Sequence, residues 1–199
     1  MVVKRIFDII FSVIGLIVLS PLFLVITLVI LMDSRGSVFY RGIRVGRHQR
    51  NFRIYKFRTM YPDSETSSIT VGDRDPRITK AGCWLRKYKL DEIPQLINVL
   101  TGEMSFVGPR PDVPDYKNYY LRHMPGYYTM KPGITSFSSL YFLQESKIYE
   151  DVSDPEQVYL QKTIPQKVKL DKKYQQNQNL ATDFAIIVMT IKAIFIKRR

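Results

Sequence analysis

The chain has 199 residues, enough for one domain with a buried core. Lys and Arg outnumber Asp and Glu by 30 to 18, a formal net charge of +12, and this calls for an anionic partner: nucleic acid, a membrane surface or phosphorylated small molecules. One cysteine excludes an internal disulfide and suits a reducing compartment, and two distant histidines, His48 and His123, without Cys partners argue against zinc.

Residues 9 to 32, IIFSVIGLIVLSPLFLVITLVILM, carry no charge. As a helix they would reach ~36 Å against a hydrocarbon layer of ~30 Å. A cleaved signal peptide fits poorly, because the run is long and no A-x-A site follows. Ser20–Pro21 breaks the run near its centre, since proline removes a backbone donor and clashes with the carbonyl four residues back. The segment therefore reads either as a kinked spanning helix or as a re-entrant hairpin. Both flanks are basic: Lys4 and Arg5 precede it, and a series from Arg35 to Arg58 follows.

SVFYRGIRVG and FRIYKFRTM read as two strands joined by GRHQRN, with Ile54, Lys56 and Arg58 on one face of the second. Residues 61 to 75 are loop-like in composition. A short helix is expected in KAGCWLRKY, with Cys83 as small buried filler, and another from Asp91 to Leu100. GPRP at 108 to 111 and KPGIT at 131 to 135 read as turns, and PDYKNYYLRHM as a helix. Residues 161 to 179 are polar and basic. Residues 183 to 196 form an apolar segment ahead of Lys197, Arg198 and Arg199, either an interfacial helix or a core helix.

One stretch raises a chemical question. RKYKLDEIPQ places Asp91 and Glu92 side by side among positive charges. Pro94 belongs in a helix only within its first turn, so the pair falls in that turn, where free N–H groups and the macrodipole favour anions. First-turn acids need no other role. Yet Arg86, Lys87 and Lys89 precede the pair, Lys56 and Arg58 lie on a strand, and a proline-braced turn presents Arg110. Such cations suit a phosphate or diphosphate. A carboxylate kept ionised among them can attack phosphorus, and a neighbour can hold Mg²⁺. Adjacent helical side chains diverge by about 100°, so two different roles are easier to build than one shared chelate.

KRIFDIIFS, the Ser20–Pro21 break, GSVFYRGIRVG, FRIYKFRTM, DPRITKAGCWLRK, LDEIPQLINVLTGEMSFVGPRP and KPGIT together resemble the bacterial sugar transferases. That family comprises monotopic polyprenyl-phosphate phosphoglycosyl transferases, and the resemblance is to their minimal catalytic-core form. The strong matches cover residues 4 to about 135.

The resemblance implies transfer of a sugar 1-phosphate from a UDP-sugar to undecaprenyl phosphate, with release of UMP and a need for Mg²⁺. It makes Asp91 the nucleophile and Glu92 the metal ligand. Lys56, Arg58, Arg86 and Arg110 would lie around the phosphates, and Ser20–Pro21 would break a re-entrant helix. The expected fold is α+β and mostly helical, with a membrane segment over 1–34 and a catalytic domain over 35–199. A small β-hairpin and amphipathic interfacial helices would surround an active site at the cytoplasmic face of the bacterial inner membrane. Inner-membrane lipid is the expected surface, nucleic acid is not an expected partner, and monomer and homodimer both stay open. Two departures stand out: Tyr88 and Lys89 replace a Ser or Thr pair before Leu90, and Ser136 to Ser139 replace a Gly and Ala-Gln segment after KPGIT. Charge alone would also allow a membrane-tethered nucleic-acid binder, with Tyr and Phe at 39 to 58 stacking on bases, or an inactive scaffold.

Overall fold

In the computed structural model, which describes residues 2–62, 64, 75–149 and 152–196, the chain opens with two helices, α1 (Val2–Val18) and α2 (Ser20–Asp33), bent by 60°. Pro21 has no N–H to give to the Ile17 carbonyl, and the Ser20 hydroxyl donates to it instead at 2.8 Å. No single described helix is long and apolar enough to cross a membrane; this bent pair passes that test only together.

The two expected strands form, split into short pairs. β1 (Phe39–Tyr40) and β2 (Ile43–Val45) run out, and β3 (Asn51–Arg53) and β4 (Lys56–Phe57) run back. β1 pairs with β4 and β2 with β3, both antiparallel. Phe57 stacks on Phe39 at 5.5 Å and is buried with Ile26, Ile30 and Leu85, which fastens α2 to the hairpin. The aromatics offered for base stacking are largely spent on packing: Phe52 and Phe57 are buried, and Arg41 lies 4.4 Å over the Tyr55 ring.

Much of the loop expected at 61 to 75 falls on residues 63 and 65–74, outside the described residues. α3 (Lys80–Lys87) follows, capped by Thr79, whose side chain accepts from the Gly82 N–H at 2.9 Å. Cys83 on this helix is exposed, not the buried filler expected: the inward positions of so short a helix go to Gly82 and Leu85. The helix expected from Asp91 arrives in two pieces, a 3₁₀ turn over Leu90–Glu92 and α4 (Gln95–Thr101), joined by Ile93 and Pro94.

β5 (Ser105–Val107) and β6 (Gly133–Thr135) pair in parallel, so KPGIT is partly a strand and not only a turn. Between them lies α5 (Lys117–His123), preceded by a 3₁₀ turn; after them come α6 (Phe137–Tyr141), α7 (Pro155–Val158), a π-helical turn, α8 (Ile164–Gln176) and α9 (Leu180–Ile196). The main core joins Tyr120, Tyr149, Tyr174, Ile164, Val168 and Ile186 from these elements. α9 packs on the core along one side, as expected of a core helix, and leaves an apolar side exposed. Ile186 is buried and Thr190 bonds Thr135 at 2.6 Å, while Phe184, Met189 and Ile191 are exposed. The basic end at 197–199 lies outside the described residues.

Polar residues dock α1 onto this body. Arg5 donates to the Val99 and Leu100 carbonyls at 2.5 and 2.7 Å, where α4 ends. Buried Asp8 accepts from the Ser105 hydroxyl at 3.1 Å and the Phe106 N–H at 3.2 Å. Lys4 pairs with Asp183 of α9 and donates to the Val107 carbonyl at 3.1 Å. The opposite face of α1, including Ile6, Ile10, Ile14 and Ile17, is exposed, as are Leu24, Val25 and Leu28 of α2.

Gly108 and Gly133 face each other where β5 runs into GPRP. A Cβ on Gly133 would land on the Gly108 backbone, and the Gly133 N–H bonds the Pro109 carbonyl at 2.9 Å. Gly133→Ala is expected to destabilise the protein by about 1–3 kcal/mol, read as a lower thermal midpoint in detergent.

Candidate active site

α3 ends at Lys87, and Lys89 reverses the chain in the left-handed region at φ 54°. The next residues, Leu90 to Glu92, wind as the 3₁₀ turn, and both acids are buried there. They stand just ahead of α4 and not within its first α-helical turn.

The two carboxylates have different surroundings. Glu92 is held from two sides. Lys56 on β4 donates to its Oε1 at 2.9 Å, and Arg110 of the GPRP turn donates to Oε1 at 2.7 Å and to Oε2 at 3.4 Å. Burial alone would raise its pKa; the Arg110 and Lys56 charges overcome this and hold Glu92 well below the usual carboxylate range. The same contact raises the Arg110 pKa, and burial lowers that of Lys56.

Asp91 is left outside this clamp. Its Oδ1 is buried and has no hydrogen-bond partner. Burial raises its pKa, Lys56 opposes that rise, the Glu92 charge adds to it, and Lys89 and Arg86 act with Lys56. Surrounding cations were expected to lower this pKa; desolvation outweighs them and the net shift is upward.

A single large cleft brings Asp91, Glu92, Lys56, Arg58, Arg86 and Arg110 together. Ser20 and Pro21 are not among its walls, although the adjoining Leu19 is. Arg58 sits apart in its contacts. It donates to the Arg35 carbonyl and, at 2.7 Å, to the Ser34 carbonyl at the exit of α2, leaving its buried Nε unpartnered. Arg86, in the last turn of α3, stands where its charge bears on Asp91. Sequence reasoning missed Asp112, Glu145, Tyr159 and Lys167, which also line the cleft. Asp112 follows GPRP directly and could have been found by extending that motif; the others carry no local signal.

Among the described residues no three His, Cys, Asp or Glu side chains converge, so no cage for a metal is built from protein alone. Mg²⁺ commonly takes one or two carboxylates and completes its shell with waters and substrate phosphates. Glu92 fits that donor set as the one carboxylate: its Oε2 meets only the Arg110 guanidinium, at 3.4 Å.

A family profile described as "Bacterial sugar transferase" matches residues 1–197. The chain is 34% identical to the "Exopolysaccharide production protein ExoY" of Sinorhizobium fredii, with 98% of this chain and 86% of that protein covered. It is 36% identical to an "Undecaprenyl-phosphate glucose phosphotransferase" of Komagataeibacter xylinus, across 96% of this chain. It is also 36% identical to an "Undecaprenyl-phosphate galactose phosphotransferase" of Salmonella typhimurium, again across 96% of this chain. It spans only 36% and 40% of the length of the latter two.

The orphaned carboxylate has a consequence for stability. The folded pKa of Asp91 lies above its ordinary 3.8, so ionisation costs stability: nothing below that value, and the full amount above the folded one. Asp91→Asn is therefore expected to raise the melting temperature at pH 8, with the gain shrinking toward pH 4. Scanning fluorimetry across that range checks it, and a lower midpoint for the variant at pH 8 contradicts it.

Proposed function

The chain belongs to the bacterial sugar transferase family, and from that premise we propose that it moves a sugar 1-phosphate from a UDP-sugar to undecaprenyl phosphate through a covalent Asp91 intermediate. The observation that carries this reading is the Asp91 carboxylate, which lines a basic cleft and keeps an oxygen without a hydrogen-bond partner while its neighbour Glu92 is held by Lys56 and Arg110.

The Asp91 oxygen attacks the sugar-bearing phosphorus. The bond from that phosphorus to the bridging oxygen breaks, and UMP leaves with the electron pair. An oxygen of undecaprenyl phosphate then attacks the acyl phosphate, Asp91 leaves as carboxylate, and the sugar ends on a lipid diphosphate. Burial favours this because a carboxylate stripped of water and of protein partners is a better nucleophile. Glu92 would hold Mg²⁺, which supplies charge neutralisation at the diphosphate when bound. Arg110 is poised to share in that neutralisation. Its fork suits a diphosphate as well as a carboxylate, and a diphosphate entering the cleft competes with Glu92 for it. Lys56 keeps Glu92 from being left as an uncompensated buried charge during that exchange.

The same reading seats α1 and α2 as a re-entrant hairpin at the cytoplasmic face of the bacterial inner membrane, with the exposed apolar side of α9 beside them. The bend at Ser20–Pro21, the apolar exposure of these helices and the basic flanks support it.

Incubation with UDP-sugar alone is expected to leave a phosphosugar adduct that mass spectrometry maps to Asp91. Asp91→Asn should lose adduct and turnover while keeping its fold; an adduct on another residue overturns the assignment. Excess EDTA should stop UMP release, and Glu92→Gln should lower it by about two orders of magnitude or more, since an amide is a poor ligand for a hard cation. For topology, cysteines placed at exposed Val2 and Ser37 after replacement of exposed Cys83 should react with a membrane-impermeant thiol reagent from the same side. Labelling from opposite sides contradicts the hairpin.

A further inference from the structure

Beyond Arg110 the cleft continues into a polar pocket that the phosphate chemistry does not use. Asp112, two residues after Arg110, accepts at Oδ2 from Tyr120 and, at 2.7 Å, from the Tyr159 hydroxyl. Lys167 of α8 is buried, with Nζ 4.8 Å above the Tyr159 ring and 2.8 Å from Glu145 Oε1. The Tyr149 hydroxyl donates to the same Glu145 oxygen at 3.1 Å. Asp112, Glu145, Tyr149, Tyr159 and Lys167 all line the cleft that contains Asp91. Glu145 stands near enough to Arg110 for its charge to bear on the guanidinium.

Each carboxylate in this network keeps spare capacity to accept. Among the described residues Glu145 Oε2 has no hydrogen-bond partner, and Asp112 Oδ1 meets only the adjacent Val113 N–H at 3.2 Å. Free carboxylate oxygens repel phosphate and accept from hydroxyls, so this pocket suits the uncharged, hydroxyl-rich part of a donor. In a nucleotide sugar the hexose is joined through its anomeric oxygen to the phosphorus that Asp91 addresses, whereas the nucleoside lies a further phosphate away. The pocket beginning two residues from Arg110 is therefore placed for the hexose.

We propose that Glu145 and Asp112, held in place by Lys167, Tyr159 and Tyr149, form the subsite that recognises the hexose hydroxyls and sets which sugar is transferred. This rests on the phosphosugar-transfer reading above. The buried lysine and tyrosines fix the carboxylates, and their free oxygens accept from the sugar.

The test is UMP release by the full chain in detergent with UDP-glucose, UDP-galactose, UDP-N-acetylglucosamine and UDP-N-acetylgalactosamine, together with inhibition by UDP, which has no sugar. Glu145→Gln is expected to change the ratio of kcat/KM between the best and second-best donors by about tenfold or more, while the UDP inhibition constant moves by less than about twofold. Unchanged ratios overturn the subsite. So does weaker UDP inhibition in proportion, which would give the pocket to the nucleotide, or a fall in kcat alone common to all donors. If Glu145→Gln does not fold, Glu145→Asp carries the same comparison. A wild-type protein that releases no UMP from any donor removes the transfer reading and the subsite together; release with unaltered preference in the variant removes the subsite alone.

Discussion

Two adjacent buried carboxylates cannot both stay charged without compensation, and the face that carries Asp91 and Glu92 is organised around that constraint. Glu92 is neutralised by Lys56 and Arg110, which come from a strand and a proline-braced turn well separated in the chain. The ion cluster therefore ties the hairpin, the 3₁₀ turn and GPRP into one unit. Each member needs the others, because burial also works against the charge on Lys56. Compensation is unequal, however. Glu92 receives both cations and Asp91 receives neither as a hydrogen-bond partner. That inequality separates a carboxylate held in an ion cluster from one with an unpartnered oxygen.

Much of this arrangement was readable from residues alone, because it depends on local chemistry. The acid pair before Pro94, the basic strand carrying Lys56, and Arg110 between two prolines are short motifs whose meaning survives without coordinates. The break at Ser20–Pro21 was readable for the same reason: a missing N–H has a fixed consequence. The direction of the Asp91 shift was not, since it depends on how much water the folded chain removes from one turn. Nor was the β5–β6 pairing, because KPGIT carries ordinary turn residues and only the facing glycines reveal that a strand lies beside it.

The N-terminal helix shows a subtler loss. Read as the start of an apolar run, Lys4 and Arg5 serve as topological flanks. In the fold they are docking groups that reach α9 and the carbonyl end of α4, and Asp8 with Ser12 completes a buried polar stripe along α1. A hydropathy window averages such a stripe away, because its period is helical and its members are few. The serine run after KPGIT is comparable. Read in the sequence as a departure from the resemblance, it is built into the local structure: Ser136 caps α6 and Ser138 donates to Asp171 at 2.7 Å.

The carbonyls of Ser34 and Arg35 at the exit of α2 are gripped by Arg58, and Asp33 accepts from the Ala81 N–H at 2.9 Å. Arg58 is only two residues from Lys56, about 7 Å along an extended chain. On the proposed seating of the first two helices in a bilayer, that grip would work as a ruler. The depth at which α2 emerges would set the height of Asp91, the proposed nucleophile, above the lipid headgroups, with little slack between the two. A lipid phosphate has a narrow range of heights of its own, so the reach between them would be set by where α2 ends.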